Sequence, residues 1–220
     1  MAYIEINDVS KVYQRDGEPF HALSHVSLEI ERGEFICLLG PSGCGKTTLL
    51  NTLAGFEHPD EGRVLIGGEA VTEPVPNRVT IFQHYGLLPW QTVEKNVMLG
   101  LLAKKVPKEE ARAIASKYID LVGLSGFEHV RPAQLSGGMQ QRVSIARGLA
   151  VQPDVLFMDE PFALADRIVV LTPNPGQVKE VVKVELGPDR LRTADDFLAV
   201  RDHVFDVFGM KPNWNVEYVI

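Results

Sequence analysis

Residues 40–47 read Gly-Pro-Ser-Gly-Cys-Gly-Lys-Thr and match the phosphate-binding pattern G-x-x-x-x-G-K-S/T at every fixed position. Glycines in such a loop let backbone N–H groups turn toward phosphate oxygens, and the amino end of a following helix adds a favourable dipole. Lys46 can reach the β- and γ-phosphates of a nucleotide, and the Thr47 hydroxyl can hold Mg²⁺. The residues expected to contact the nucleotide here are Gly40, Pro41, Ser42, Gly43, Cys44, Gly45, Lys46, Thr47 and Thr48.

Three further groups of polar residues could act on the same phosphates. Ser136 can cap a helix, and the two glycines after it leave backbone amides bare for an anion. Asp159 and Glu160 follow four apolar residues, so that two carboxylates emerge at the end of a strand. One of them can bind Mg²⁺ and the next can polarise a water molecule. Gln83 follows another apolar strand, where its amide could contact the metal or the attacking water.

To position these groups, the chain needs buried strands that end at them and helices that begin at them. An apolar strand over residues 34–39 leads into the phosphate loop, and a helix over residues 47–54, stopped by Gly55, follows it. Two alternating segments, residues 3–6 and 22–30, predict antiparallel strands with one solvated face. The remaining predicted strands are residues 62–66, 79–82, 155–158, 168–171 and 178–186, and the remaining predicted helices are residues 108–122, 138–150 and 194–208.

The composition is that of one soluble globular domain. The 220 residues are 45% hydrophobic and 23% charged, which suffices for a substantial core. The net charge of −7 argues against a nucleic-acid partner, and no apolar run approaches the roughly 18–20 residues of a membrane span. The amino end has no secretory-signal pattern. Cys37 is predicted in the core, whereas Cys44 is either a reactive thiol in electropositive surroundings or a tolerated small residue.

Together these motifs resemble the nucleotide-binding subunit of an ABC transporter. Residues 40–47 are similar to the Walker A motif, residues 135–140 to the signature motif, and residues 155–159 to Walker B, while Gln83 stands at the Q-loop position. The resemblance implies an α/β P-loop NTPase fold with a mixed-sheet core, an amino-terminal antiparallel β-subdomain and an inserted helical subdomain. The implied boundaries within a single domain of residues 1–220 are residues 1–82 for the β-subdomain and Walker A core, 83–150 for the helical subdomain, 151–171 for the Walker B return and 172–220 for the last strand and helix.

The same resemblance implies individual roles. Tyr13 matches the aromatic residue that stacks on adenine, although an ordinary strand aromatic is the alternative. Asp159 would coordinate Mg²⁺ through water, and Glu160 would be the general base. In the family two such subunits dock head to tail, so that the signature of one faces the ATP of the other. The implied catalytic residues are Glu160, Gln83 and Lys46, the implied metal ligands are Thr47, Gln83 and Asp159, and the signature residues at ATP are Ser136, Gly137, Gly138 and Gln140.

The segment after the Q-loop indicates which group within the family the chain resembles. Residues 87–90 read Leu-Leu-Pro-Trp, which is similar to importers of nitrate, aliphatic sulfonates, taurine and related small anions, as is the run over residues 165–173. In the family this region meets the permease, and exposed Leu87, Leu88 and Trp90 would suit that contact. The alternative is that these side chains cover the core of the helical subdomain.

The family pattern breaks between Asp159 and Arg167. Seven residues lie between them, whereas two adjacent parallel strands need a crossover of roughly 10–12 residues or more. In the family this gap holds the D-loop, a helix, a strand and the switch histidine, and none of the six histidines stands in that context. A junction is expected near Phe162 and Ala163. Either the sequence omits an internal stretch or the protein truly lacks it. In the second case we expect ATP binding with little hydrolysis.

The leading hypothesis is therefore the ATP-hydrolysing subunit of a small-anion importer, with ATP and Mg²⁺ as cofactors. Its implied partners are a second cassette, transmembrane permease subunits and, indirectly, a substrate-binding protein, at the cytoplasmic face of the inner membrane. The alternatives are a cassette that binds ATP without turnover and a soluble ABC ATPase not linked to transport. The last is disfavoured because such proteins commonly carry two cassettes, coiled coils or basic insertions.

Overall fold

A computed structural model of the chain describes residues 2–81, 85–158, 166–184 and 202–203. The chain divides into two compact units: unit 1 comprises Met1–Pro74 and Glu160–Ile220, and unit 2 comprises Val75–Asp159. Within the described ranges, no helix is both long and apolar enough to span a bilayer. Three of the predicted site residues, Gln83, Asp159 and Glu160, lie outside the described residues, as does nearly all of the helix predicted over residues 194–208.

The described elements follow the predicted order closely. In chain order they are β1 (Ile4–Arg15), β2 (Glu18–Ile30), β3 (Ile36–Leu39), α1 (Lys46–Ala54), β4 (Glu61–Ile66), β5 (Glu69–Ala70), β6 (Arg78–Ile81), α2 (Val93–Ala103), α3 (Lys108–Leu121), a short 3₁₀ helix (Pro132–Gln134), α4 (Gly137–Ala150), β7 (Val155–Met158), β8 (Arg167–Leu171) and β9 (Val178–Lys183).

Unit 1 contains an antiparallel sheet with the strand order β2-β1-β4-β5. Along β2, Val26, Leu28 and Ile30 are buried, while Ser27 and Glu29 between them are exposed. This alternation confirms the predicted antiparallel strands with one solvated face. The hairpin of β1 and β2 runs further than the prediction, since its pairing continues to Arg15 opposite Glu18.

The parallel strands of the chain lie in two further sheets. In unit 1, β3 runs parallel to β8, which runs antiparallel to β9, and in unit 2 β6 runs parallel to β7. Strand β7 ends at Met158 and β8 begins at Arg167, and the two belong to different sheets. In the described sheets, β3 and β7 each stand at an edge.

The helical part of unit 2 packs around its own apolar core. Helix α3 buries Ala111, Ala115 and Ile119 on one face, as the spacing predicts, and Gly123 follows its last turn with a φ of 66°. Helix α4 buries Val143 and Ala146 against the same core. The buried residues of this core are Val93, Val97, Met98, Leu101, Ala111, Ala115, Ile119, Leu124, Leu135, Val143, Ala146 and Ala150.

Candidate nucleotide-binding site

The phosphate loop of unit 1 is a close-packed turn in which two glycines lie tightly against neighbouring atoms. Gly45 precedes α1 with a φ of 91°, in the left-handed region. A Cβ at Gly45 would lie 2.6 Å from the Ala22 carbonyl oxygen, and one at Gly40 would lie 2.4 Å from the Sγ of Cys44. The loop therefore keeps its backbone close to β2 and to the Cys44 side chain.

The start of α1 is free of side-chain capping. Gly45 is its N-cap residue and offers no side-chain hydrogen bond to the first turn. Ser42, Gly43 and Thr47 are exposed around this helix start, within reach of a ligand. Orphan N–H groups together with the positive end of the helix dipole form an anion site, so the triphosphate of a nucleotide fits here.

Lys46 carries the positive charge of this loop. Its Nζ donates hydrogen bonds to the carbonyl oxygens of Gly40 at 2.6 Å and Pro41 at 3.2 Å, and it lies 3.6 Å from the Sγ of Cys44. These contacts fold the side chain back over the loop rather than out into solvent. A phosphate oxygen is a stronger, charge-assisted acceptor than a peptide carbonyl, so an incoming phosphate can take over these bonds.

The back of the loop rests on a segment that sequence reasoning missed. Gly176, in the connection between β8 and β9, would place a Cβ 2.1 Å from the carbonyl oxygen of Cys44. It is held there by two backbone hydrogen bonds, from Ser24 N–H to Gly176 at 3.0 Å and from Gly176 N–H to Ala22 at 3.1 Å. Cys44 itself is fully buried, which favours the tolerated small residue over the reactive thiol.

Tyr13 of β1 lies beside the helix that follows the loop. Its hydroxyl donates to the Glu57 carboxylate and lies 3.5 Å from the Oγ1 of Thr48, on α1. Burial, followed by the hydrogen bond to Glu57, raises the pKa of the Tyr13 hydroxyl. The Nζ of Lys11 lies 5.8 Å from the ring centroid. The structure therefore brings Tyr13 and Thr48 together, as a shared nucleotide site requires, and Glu57 is a contact that no sequence motif indicates.

The predicted signature motif forms the start of α4 in unit 2. The Ser136 hydroxyl accepts a hydrogen bond from the Met139 N–H at 3.3 Å, which confirms the predicted helix cap. Gly137 and Gly138 are exposed, while Leu135 is buried in the helical core and anchors the motif. The Gln140 side chain donates to the Leu135 carbonyl oxygen at 3.2 Å. The amino end of α4 is thus rigidly placed with its glycine backbone on the surface.

The apolar residues of the segment after the Q-loop differ in burial, so each of the two alternatives, core packing and an exposed contact surface, fits one of them. Leu87 packs against the helical core, whereas Trp90 is 65% exposed. The turn between them is fixed by Asn96, which is fully buried on α2. Its side chain accepts from the Leu88 N–H at 2.8 Å and donates to carbonyl oxygens along the turn, so its hydrogen-bonding capacity is largely used. Trp90 therefore stands on a rigid support.

Residues 23–163 of the chain match the model of a protein family described as ABC transporter. The chain therefore belongs to the ABC transporter family and is an ABC-type ATPase, a class of enzyme that couples ATP hydrolysis to transport. This confirms the resemblance inferred from the motifs and the P-loop NTPase fold. The match ends at residue 163, where the family pattern was predicted to break.

Three relatives show what the chain is similar to. An uncharacterized ABC transporter ATP-binding protein of Methanocaldococcus jannaschii, MJ0412, is 42% identical over 93% of this chain and 90% of its own length. The bicarbonate transport ATP-binding protein CmpD of Synechocystis is 49% identical, and the nitrate import ATP-binding protein NrtD of Synechococcus elongatus is 43% identical. Each of these two alignments covers 76% of this chain, but only 60% and 61% of the respective relative.

Solved structures give the same fold. The ATP-binding cassette MJ0796 in a dimeric post-hydrolysis state with ADP and Pi superimposes with a TM-score of 0.73 at 27% identity, and a second dimeric structure of that cassette gives 0.74 at 28%. Both cover 84% of this chain and all of the cassette. ATP binding is thus a property of the cassette type to which this chain belongs.

Proposed function

We propose that this chain powers an importer of a small anion such as nitrate, bicarbonate, a sulfonate or taurine. The similarity to bicarbonate and nitrate import proteins supports this substrate class, as does the Leu-Leu-Pro-Trp segment over residues 87–90. In this proposal residues 1–220 act as a single nucleotide-binding domain, peripheral at the cytoplasmic face of the inner membrane.

The observation that carries the ATP-driven part of the proposal is the uncapped start of α1 beside the Lys46 ammonium. Backbone N–H groups of residues 42–47 and the Lys46 ammonium bind the β- and γ-phosphates. The exposed Thr47 hydroxyl, with Asp159 and Gln83, holds Mg²⁺, which neutralises phosphate charge when bound. Glu160 takes a proton from the attacking water, and the Tyr13 ring stacks on adenine.

The proposed transporter complex also contains partner subunits. A second cassette docks so that its Ser136 and the two glycines after it face the ATP held by this chain. The rigid placement of the α4 start supports this role, because a preformed anion site needs no reorganisation when the partner arrives. Trp90 on its fixed turn suits contact with a permease subunit, which in turn receives the anion from a substrate-binding protein.

The test is ATP hydrolysis in proteoliposomes that contain the chain, its permease and its binding protein. We expect hydrolysis to rise when nitrate or bicarbonate is supplied, and to be lost with Glu160→Gln while ATP binding persists. A Glu160→Gln variant with normal turnover would refute the assignment of the base. Turnover that no small anion stimulates would refute the substrate class.

A second candidate function is ATP binding without efficient turnover. The alignment with the Methanocaldococcus relative spans 241 positions, more than the 220 residues of this chain, so that relative carries residues with no counterpart here. Together with the family match that ends at residue 163, this favours a chain without the D-loop and switch-histidine segment. Intact-mass measurement of the purified protein separates the cases. A mass of 24.4 kDa with single-turnover hydrolysis near background would support this candidate, and brisk turnover at that mass would exclude it.

A further inference from the structure

We propose that Glu57 is a positioning residue of the nucleotide site: its carboxylate holds the Tyr13 ring beside the amino end of α1. This inference rests on the proposed function, since it takes Tyr13 as the adenine-stacking residue. No motif of the sequence points to Glu57, which stands 44 positions from Tyr13 in a turn after α1.

The contact fixes the far end of the tyrosine ring. The Tyr13 hydroxyl donates to a Glu57 carboxylate oxygen and lies 3.5 Å from the Oγ1 of Thr48, two residues after Lys46. A hydrogen bond to an ionised acceptor is about twice as strong as a neutral one. The ring therefore keeps one orientation relative to the loop that binds phosphate, instead of sampling other rotamers.

Glu57 is itself fastened to the end of α1. Gly55 ends this helix with a φ of 82°, and a Cβ there would lie 2.5 Å from the carbonyl group of Glu73. The N–H groups of Phe56 and Glu57 then both donate to the Asn51 carbonyl oxygen, at 2.9 and 3.3 Å. The Glu57 carboxylate thus belongs to the same rigid piece as the phosphate loop helix.

A second carboxylate holds the strand on which Tyr13 lies. Asp60 accepts hydrogen bonds from the Val12 N–H at 2.7 Å and from the Lys11 ammonium at 3.1 Å. The Asp60 N–H donates in turn to the Ser10 carbonyl oxygen at 2.9 Å. Asp60 therefore fixes the backbone of β1, and Glu57 fixes the side chain of Tyr13, so the adenine and phosphate ends of the site keep a set separation.

The direction in which ATP affinity changes when the Glu57 carboxylate is removed distinguishes a positioning role from a carboxylate that is merely near the phosphate loop. A carboxylate this near the phosphate loop repels a polyanion, so removing an unengaged carboxylate leaves nucleotide binding unchanged or strengthens it. If Glu57 positions Tyr13, its removal instead weakens binding of ATP. Inorganic tripolyphosphate, which has no base to stack, should not lose affinity.

The experiment is calorimetric titration of the full chain with MgATP and with magnesium tripolyphosphate. We expect Glu57→Ala to lower ATP affinity by about fivefold to tenfold, the upper part of the range for one ordinary intramolecular hydrogen bond, with tripolyphosphate affinity unchanged or higher. Tyr13→Phe keeps the ring and should lose a similar factor for ATP, and Glu57→Ala should add little in the Tyr13→Phe background. Glu57→Gln, which retains an acceptor, should lie between Glu57→Ala and the wild type. Glu61→Ala removes an exposed carboxylate on β4 and is the matched control.

Each outcome decides a different claim. Unchanged or tighter ATP binding by Glu57→Ala, with a wild type that binds ATP, overturns the positioning role alone. Equal loss of ATP and tripolyphosphate overturns it too, because the defect would then lie in the phosphate loop. A wild-type chain that binds tripolyphosphate but not ATP overturns the proposed function itself.

Discussion

Two helices of this chain begin at glycine-rich segments, but they satisfy their first N–H groups in different ways. Helix α1 follows Gly45, which has a φ of 91° and gives no side-chain hydrogen bond. Helix α4 follows Ser136, whose hydroxyl accepts from the Met139 N–H. The first turn of α1 thus keeps donors for a ligand, whereas α4 is stable by its own cap.

The difference indicates which site recognises phosphate first. A helix end that lacks a side-chain cap gains most from an anion, and α1 adds the Lys46 ammonium beside it. Helix α4 has an acceptor of its own and no acidic residue in its first turn, so it can present its backbone to a second ligand without refolding. We therefore infer that ATP binds to the α1 loop of one chain, and that the α4 start joins only on assembly.

The largest expected effect comes from removing the charge at α1. Lys46→Ala should lower ATP affinity by about 100-fold, since hydrogen bonds to a charged group contribute roughly 1.5–3 kcal/mol. Fluorescence of a labelled ATP analogue measures the change. Lys108→Ala, an exposed lysine at the start of α3, is the control and should bind as the wild type does. Similar affinity in both variants would remove the α1 loop from the nucleotide site.

A second variant acts on the support behind the loop. Gly176→Ala places a methyl group 2.1 Å from the Cys44 carbonyl oxygen, so the loop must shift, at a cost of about 1–3 kcal/mol in the free energy of unfolding. ATP affinity should fall as well. Gly68→Ala meets open space and serves as the comparison, although its φ of 83° carries a smaller backbone strain. Urea unfolding measures both variants, and a Gly176→Ala variant as stable as the wild type would show that Gly176 does not back the loop.

A third variant tests whether α4 depends on its cap. Ser136→Ala should reduce the free energy of unfolding by about 1 kcal/mol, and Ser136→Asp should restore most of it. Thr92→Ala is the matched control, because Thr92 caps α2 by accepting from the Lys95 N–H at the same 3.3 Å. If Ser136→Ala unfolds at the wild-type urea concentration, the Ser136 cap does not stabilise α4 and the contrast with α1 fails.

The smallest effect concerns acid stability beside Tyr13. The hydrogen bond from the Val12 N–H, and then the Lys11 ammonium, lower the pKa of Asp60. A carboxyl group whose pKa is lower in the folded than in the unfolded state stabilises the fold at pH values above its unfolded-state pKa. This stabilisation is lost as the pH falls through the folded-state pKa. Asp60→Asn should therefore lose less stability between about pH 6 and pH 3 than the wild type does. A steeper loss in the variant would contradict the arrangement of Asp60.

Much of this fold could be predicted from local patterns. The apolar run before Gly40 and the glycine stop at Gly55 define β3 and α1, and the Ser136 cap defines the start of α4. The length of the first hairpin could not be predicted, because the alternation of β1 is interrupted at Asp8, which has a φ of 55° beside a register shift.

The supporting residues of the site also escape sequence patterns. Glu57 meets Tyr13 across 44 positions, and Gly176 meets Cys44 across an even larger separation. Such contacts depend on how strands pair and not on any periodicity of the residues. The motifs therefore predict which side chains do the chemistry, while the contacts of Glu57 and Gly176 became visible only in the fold.

Hydrogen exchange of the dilute, monomeric chain with and without MgATP tests the central claim most directly. We expect MgATP to protect the backbone N–H groups of residues 42–48, at the start of α1, and to leave those of residues 137–140 unchanged. Matching samples of Lys46→Ala should show no protection at either place. Protection at the start of α4 in a monomer, or none at the start of α1, would contradict the inference that ATP binds first to the uncapped helix.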